Sequence, residues 1–174
     1  MRLMLVVPLA ALAACGGEAE QKAKAPARAQ ALQAGQWEST IEVTNLRKLD
    51  QGTPRLNLPA GTRMTGAACL GEGQTARPPG ELLAGSDFEG CTHGENFYMR
   101  NGRLISSLTC RRDGVGEVDV TINLDFTDTT YEGTVEYSTR LPTDGDVHVA
   151  SRVNGRRSGD CAPEAADGNQ ARPG

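Results

Sequence analysis

The sequence predicts an all-β fold, in which an antiparallel meander of about seven or eight strands forms a curved sheet, an open barrel or a sandwich. Three observations predict it. Apolar and polar residues alternate over several stretches, turn residues separate these stretches, and helical periodicity is almost absent. Only "PPGELLAG", which begins at Pro78, predicts a short helix, because a glutamate and two leucines follow the prolines.

The central strands show the clearest alternation. In "EVDVTINLDFT", every even position from Val118 to Phe126 is apolar. The next stretch, "YEGTVEYSTRL", alternates from Tyr131, and the Asp128-Thr129 pair predicts a two-residue turn that sets Phe126 opposite Tyr131. A third stretch, "VHVASRV", follows a cluster of turn residues. We therefore expect three consecutive strands with one shared apolar face.

An Asn-Gly turn and an opening strand extend this sheet. In "MRNGRL", the Asn101-Gly102 pair is the strongest hairpin signal in the chain, and pairing about it sets Met99 opposite Leu104. The stretch "GQWESTIEV", which begins at Gly35, predicts the first strand, with its large apolar residues on one side.

Two connections are unusually long for a compact domain. They cover residues 45–63 and 71–90. Long connections of this kind often carry function or mobility. Either connection is therefore a candidate binding surface.

The strand registers predict how charged residues of the sheet face each other. They set Glu117 opposite Arg140, Glu136 opposite Arg152, and the like charges Asp125 and Glu132 opposite each other. The like charges could attract a divalent ion or a basic partner, and the arginine pairs at 111–112 and 156–157 could attract lipid phosphates. The favoured interpretation of both features is a solvated sheet rim that keeps the domain soluble.

The first residues predict export and anchoring. Residues 1–14 have the positive start, the apolar run and the small residues of a signal peptide. The apolar run is far shorter than the roughly 20 residues of a membrane-spanning helix. The motif "LAAC" is typical of a lipobox, which predicts cleavage before Cys15, a diacylglycerol on its thiol and an acyl chain such as palmitate. Ordinary cleavage after Ala13 is the alternative, and it would leave Cys15 as a free thiol.

The rest of the chain divides into three segments. Residues 15–34 predict the lipidated cysteine and a disordered tether, residues 35–161 a disulfide-stapled β domain, and residues 162–174 a disordered tail. The resemblance of the leader to other bacterial lipoproteins implies, from Gly16 after the cysteine, sorting to the outer membrane, with the domain facing the periplasm.

The charge balance argues against nucleic acid as a partner. The chain carries 18 basic and 22 acidic residues, a net charge of −4, and it contains no basic block. The residues also imply no cofactor and no metal site. The expected partners are the membrane, through the lipid anchor, and an envelope protein or an amphipathic ligand.

The remaining cysteines predict two disulfides, because their number is even and the chain is exported. Three connectivities are open, and we favour Cys91 with Cys110 and Cys69 with Cys161. The hairpin register leaves the first pair two residues out of direct opposition, so this bridge needs a local distortion, which Gly90 or Gly94 could permit. The absence of a C-x-x-C motif argues against redox chemistry and zinc.

The histidines carry the one catalytic alternative. His93 and His148 are the only two, and the sequence has no H-E-x-x-H, G-x-S-x-G or P-loop motif. His148 falls at an outward position, where a solvated side chain is the favoured interpretation. His93 lies close to Cys91 in sequence, so an envelope hydrolase or thiol enzyme that uses His93 with a nearby cysteine or carboxylate remains the alternative.

Five short motifs are distributed along the domain: "GQWE" at 35–38, "ACL" ending at Leu70, "GC" at 90–91, "NGRLISSLTC" from Asn101 and "RVNGRRSGDC" ending at Cys161. Together they resemble the domain of unknown function 3617 family of exported bacterial proteins. The resemblance covers residues 35–161 and implies no catalytic residue. We therefore expect a non-catalytic binding or structural module, whose partner is an envelope protein or an amphipathic molecule held in the concave sheet.

Overall fold

The computed structural model describes residues 28–112 and 116–162. The predicted signal peptide, Cys15, most of the predicted tether and nearly all of the predicted tail lie outside the described residues. The described chain forms a sheet of eight antiparallel strands that curls into a half-barrel, which confirms the predicted all-β open architecture. The strands are β1 (Gly35–Lys48), β2 (Arg63–Leu70), β3 (Thr92–His93), β4 (Tyr98–Arg100), β5 (Arg103–Arg112), β6 (Gly116–Phe126), β7 (Thr130–Arg140) and β8 (Val147–Gly159).

The strand order is β2-β1-β8-β7-β6-β5-β3, and β4 also pairs with β5. The strands from β5 to β8 form the predicted meander, because each pairs with the next. The predicted turn registers are confirmed: Phe126 lies opposite Tyr131, and Met99 lies opposite Leu104. Asn101 and Gly102 have φ angles of 54° and 74°, the positive values that a tight hairpin turn of this type requires.

One predicted register is wrong. Glu136 pairs with Ala150, and Arg152 pairs with Thr134, so these two charges do not face each other. The pairing of β7 with β8 is shifted by two residues from the predicted register, because the connection between these strands makes hydrogen bonds of its own. The Asp146 carboxylate accepts hydrogen bonds from the Thr139 hydroxyl and the Leu141 amide.

Two residues before the predicted boundary at residue 35 contact the β domain. Leu32 is buried in the core, and its amide donates to the Thr75 carbonyl at 3.1 Å. The Gln33 amide donates to the Asp128 carbonyl at 2.7 Å, and its carbonyl accepts from the Trp37 indole at 3.0 Å. The bounds of the tether and of the domain stay predictions. Residues 28–34 contain one large apolar residue, Leu32, and a single residue of this kind does not predict burial from the sequence.

The second long connection carries the predicted short helix, α1 (Gly80–Ala84), between two 3₁₀ turns, Glu72–Gln74 and Ser86–Phe88. Leu82 and Leu83 of α1 are buried against the concave face of the sheet. Among the described residues, no helix has the length and the apolar character that crossing a membrane requires.

Candidate functional site

One end of the concave face is packed with large side chains. Trp37, Leu83 and Tyr131 are buried there, and the Trp37 and Tyr131 rings stack with their centroids 5.7 Å apart. The Tyr131 hydroxyl donates a hydrogen bond to the Leu82 carbonyl of α1. Gly155 lies beneath the Tyr131 ring, where an added Cβ would come within 2.2 Å of Cζ. We call this half of the barrel the filled end.

The other end contains a cavity of about 430 Å³. Its wall comes from the strands, from the segment that follows α1 and from the connection between β1 and β2. Cavities of about 300–1,000 Å³ are typical of small-molecule sites in proteins. We call this half the hollow end, and its main apolar lining residues are Ile41, Met64, Phe88, Val118, Val135, Tyr137 and Val147.

The connection between β1 and β2, residues 49–62, crosses the hollow end, and we call it the strap. It contains no helix or strand. Leu56 and Leu58 of the strap are half-buried and pack against a small cluster formed by Val43, Val147 and Val149. The strap therefore supplies part of the cavity wall from a segment that lies outside the strands.

The Asp50 carboxylate fastens the first part of the strap. It accepts hydrogen bonds from the backbone amides of Gly52, Gly145 and Asp146, each at 2.8 Å. These bonds, first of all that from Asp146, lower the pKa of Asp50 below its ordinary value because they favour the charged carboxylate. The other end of the strap is fastened by two backbone bonds between Val43 and residues 61–62, at 2.8 and 2.9 Å.

Three polar side chains border the cavity. The Arg55 guanidinium on the strap donates to the Thr143 hydroxyl at 2.8 Å. Burial, with a smaller contribution from the Asp87 carboxylate, raises the pKa of Tyr137 to about 12, so its phenol stays protonated and is a hydrogen-bond donor at neutral pH. Ser151 is 3% exposed, and its hydroxyl makes no hydrogen bond to any described residue.

His93 lies outside this cavity, in a bonded arrangement of its own. Its Nδ1 is 2.8 Å from the Ser106 hydroxyl, and its Nε2 is 2.7 Å from the Pro78 carbonyl. Because a carbonyl only accepts, Nε2 carries the proton and Nδ1 accepts from Ser106. Burial lowers the pKa of His93, which favours this neutral form. The imidazole therefore ties the Pro78 segment to β5.

The cysteines are joined as the sequence favoured. Cys69 is bonded to Cys161, and Cys91 is bonded to Cys110, with Cα atoms 4.5 Å apart in the second pair. The expected distortion lies between β3 and β4, whose registers on β5 differ by two residues. The Gly94 amide, which donates to the Ser107 carbonyl at 2.9 Å, marks its beginning. Cys110 lines the cavity. Cys91 cannot act as a thiolate beside His93 while the disulfide is intact.

The charged features of the rim are mostly internally paired. Arg111 pairs with Glu117 at 2.6 Å and Arg156 pairs with Glu38 at 2.8 Å, while Arg157 pairs with Asp160. Asp125 and Glu132 do lie opposite each other, as predicted. Within residues 28–112 and 116–162, however, no three potential metal-binding side chains cluster.

The sequence pointed to the right segments but not to the residues of the cavity. Both long connections contribute to its wall, since the strap lies within residues 45–63 and Ala84–Phe88 lies within residues 71–90. Arg55 and Ser151 were not singled out. The alternating leucines of "PRLNLP" could have indicated an inward-facing segment in the strap, but the sequence analysis did not use them.

Comparison with known proteins gives a family without an activity. A family described as a protein of unknown function, DUF3617, matches residues 32–161. No curated protein and no solved structure matches the chain. The match begins at Leu32, the first residue of the core, and ends at Cys161, the last bonded cysteine. The chain therefore belongs to the DUF3617 family.

Proposed function

We propose that this chain is a lipid-anchored protein of the cell envelope that binds one amphipathic molecule, without catalysis, in the hollow end. The observation that carries the proposal is the cavity of about 430 Å³, which has a mainly apolar wall at one end of the half-barrel. An apolar chain that enters such a space gains about 0.8 kcal/mol for each buried methylene group.

The anchor supports this proposal because it brings the cavity close to a source of amphipathic molecules. The lipobox predicts a lipid on Cys15, which would hold the domain at the membrane surface. We place the protein at the outer membrane, facing the periplasm. The acyl chains on Cys15 supply the attachment, and the half-barrel supplies the binding.

The contacts of His93 give the catalytic alternative little support. Both of its ring nitrogens are engaged, and its partner Ser106 is 2% exposed, so this hydroxyl is shielded from a substrate. Cys91 is held in a disulfide. A nucleophile needs both a free lone pair and access to the substrate.

Fluorescence of N-phenyl-1-naphthylamine, a neutral apolar dye that brightens in apolar surroundings, tests the binding proposal. The protein is the full chain with Cys15→Ser, so that no attached lipid competes. We expect saturable binding of one dye per chain, abolished by Ser151→Leu, which fills the cavity, and retained by Ala150→Leu, which places the same side chain on the outer face of β8. Absence of dye binding, or equal binding by both variants, would contradict the proposal.

The intact mass of the protein purified from membranes tests the anchor. We expect a chain that begins at Cys15 and is heavier by a diacylglycerol and one acyl group. A chain that begins at Ala14, without added lipid, would rule out the anchor and leave the binding proposal to stand on the cavity alone.

A further inference from the structure

Arg55 is the cation that borders the cavity, and its charge is not neutralised by a neighbouring carboxylate. Its guanidinium donates one hydrogen bond to the neutral Thr143 hydroxyl, and among the described residues it forms no ion pair. A guanidinium has five N–H donors in a fixed fork that suits a carboxylate. Most of the hydrogen-bonding capacity of Arg55 is therefore available to a ligand.

The position of Arg55 is set by the strap. Its backbone amide donates to the Gly145 carbonyl at 3.3 Å, next to the Gly145 amide that binds the Asp50 carboxylate. The neighbouring residue, Leu56, faces the apolar cluster of the hollow end. The strap thus presents one charged group and one apolar group side by side. This arrangement is complementary to a ligand with a charged head and an apolar tail.

Ser151 supplies a second polar group at the cavity. Its side chain is 3% exposed, lines the cavity and makes no hydrogen bond to a described residue. No fully buried side-chain polar atom of the described residues lacks a partner, so the Ser151 hydroxyl is accessible from the cavity, where water or a ligand can bond to it. A polar atom of a bound molecule would satisfy it.

The volume suits a small ligand. A cavity of about 430 Å³ lies within the range of about 300–1,000 Å³ that is typical of small-molecule sites. One medium-length alkyl chain with a small head group is a ligand of this class.

We infer that the ligand is a free medium-chain fatty acid, bound with its carboxylate on Arg55 and its alkyl chain against the wall formed by Ile41, Val135 and Val147. This inference rests on the proposed function and adds the class of ligand. The Asp87 carboxylate also lines the cavity. The Tyr137 phenol and the Ser151 hydroxyl are the remaining donors in the cavity.

Displacement of N-phenyl-1-naphthylamine from the Cys15→Ser chain tests the inference. We expect decanoate to displace the dye at a concentration about two- to fivefold lower than decan-1-ol, because a charge-assisted hydrogen bond contributes more than a neutral one and solvent weakens it at the exposed Arg55. Decyltrimethylammonium, which has the same chain and a positive head, should be no better than the alcohol. Added salt should weaken decanoate and leave decan-1-ol unchanged.

Variants assign the preference to one residue. Arg55→Gln should remove the advantage of decanoate while the dye still binds, and Arg55→Lys should keep part of it. Arg152→Gln removes an exposed arginine from the outer face of β8 and should change nothing. Thr143→Val removes the hydrogen bond to Arg55 but keeps the charge, and it should retain the preference.

The outcomes separate the inference from the proposed function. Equal displacement by the three head groups, or a decanoate preference that survives Arg55→Gln, would overturn the fatty-acid assignment and leave the cavity as a binding site. Failure of the dye to bind the unsubstituted cavity would overturn both.

Discussion

The filled end and the hollow end are built from the same strands, yet one is packed and the other encloses a cavity. Inward positions at the filled end carry residues such as Trp37 and Tyr131, and α1 adds two leucines. Inward positions at the hollow end carry smaller residues such as Val147 and Ser151, and its cover is the strap. Alternation decides which residues face inward, but their volumes decide whether the space between them is filled. The half-barrel therefore combines a stabilising half with a binding half.

Removal of each disulfide in turn should give the largest difference in stability between the two ends. Cys69–Cys161 lies beside the start of β1 at the filled end and spans 92 residues, whereas Cys91–Cys110 lies at the hollow end and spans 19. In the chain-entropy description these bridges contribute about 4.6 and about 3.2 kcal/mol. We expect the Cys69→Ser/Cys161→Ser pair to lose more free energy of unfolding in urea than the Cys91→Ser/Cys110→Ser pair. The reverse order would show that the hollow end carries more of the stability than its packing indicates.

A pair of leucine truncations compares the packing directly. Leu83→Ala, at a residue with no exposed surface, should cost about 2–5 kcal/mol of the free energy of unfolding because it opens a cavity in a filled core. Leu58→Ala, in the half-buried strap, should cost under about 1.5 kcal/mol because its side chain already borders empty space. Thermal or urea denaturation measures both. Similar losses would mean that the strap is packed as tightly as α1.

A pair of serine substitutions compares two buried hydroxyls. Ser106 is bonded to His93, whereas Ser151 has no partner among the described residues. Ser106→Ala should cost about 1–3 kcal/mol because it leaves the His93 Nδ1 atom without its donor. Ser151→Ala should be neutral or slightly stabilising in the ligand-free protein, and it should weaken decanoate binding. A large loss of stability from Ser151→Ala would indicate that its hydroxyl is satisfied within the domain.

The smallest expected effect is a loosening of the strap in acid. The folded-state pKa of Asp50 is lowered, so its contribution is present above the ordinary value of 3.8 and is lost as the pH falls through the folded-state value. Amide exchange at Gly52, Gly145 and Asp146 should accelerate below about pH 4, beyond the normal pH dependence of exchange. Amides of the filled end serve as the control. In Asp50→Asn the same three amides should exchange faster at neutral pH, and unchanged protection would contradict the fastening role.

The fold was largely predictable because alternation and turn chemistry are local signals. The registers about Asn101-Gly102 and Asp128-Thr129 follow from two-residue turns, and the structure confirms both. The register between β7 and β8 was not predictable, because the Asp146 side chain sets it through hydrogen bonds that the pattern of apolar residues does not encode. The strap was recognisable as a long connection.

The cavity could not be predicted from the sequence, because it forms only where segments that are distant in the chain come together. Arg55, Tyr137 and Ser151 come from the strap, β7 and β8, and only the folded half-barrel brings them around one space. The burial of Leu32 is similar, since nothing in its polar surroundings shows that the core has room for one more leucine. Alternation determines the face of a residue, whereas unfilled volume is a property of the whole assembly.

The contrast between the two ends predicts that an apolar probe enters the hollow end and not the core between Trp37 and Leu83. A crystal structure of the Cys15→Ser chain under xenon pressure tests this contrast, because xenon enters empty apolar cavities. We expect density for xenon, or for a retained ligand in its place, beside Ile41, Val135 and Val147, and none between Trp37 and Leu83. A strap collapsed onto the sheet, with neither xenon nor ligand at the hollow end, would contradict it.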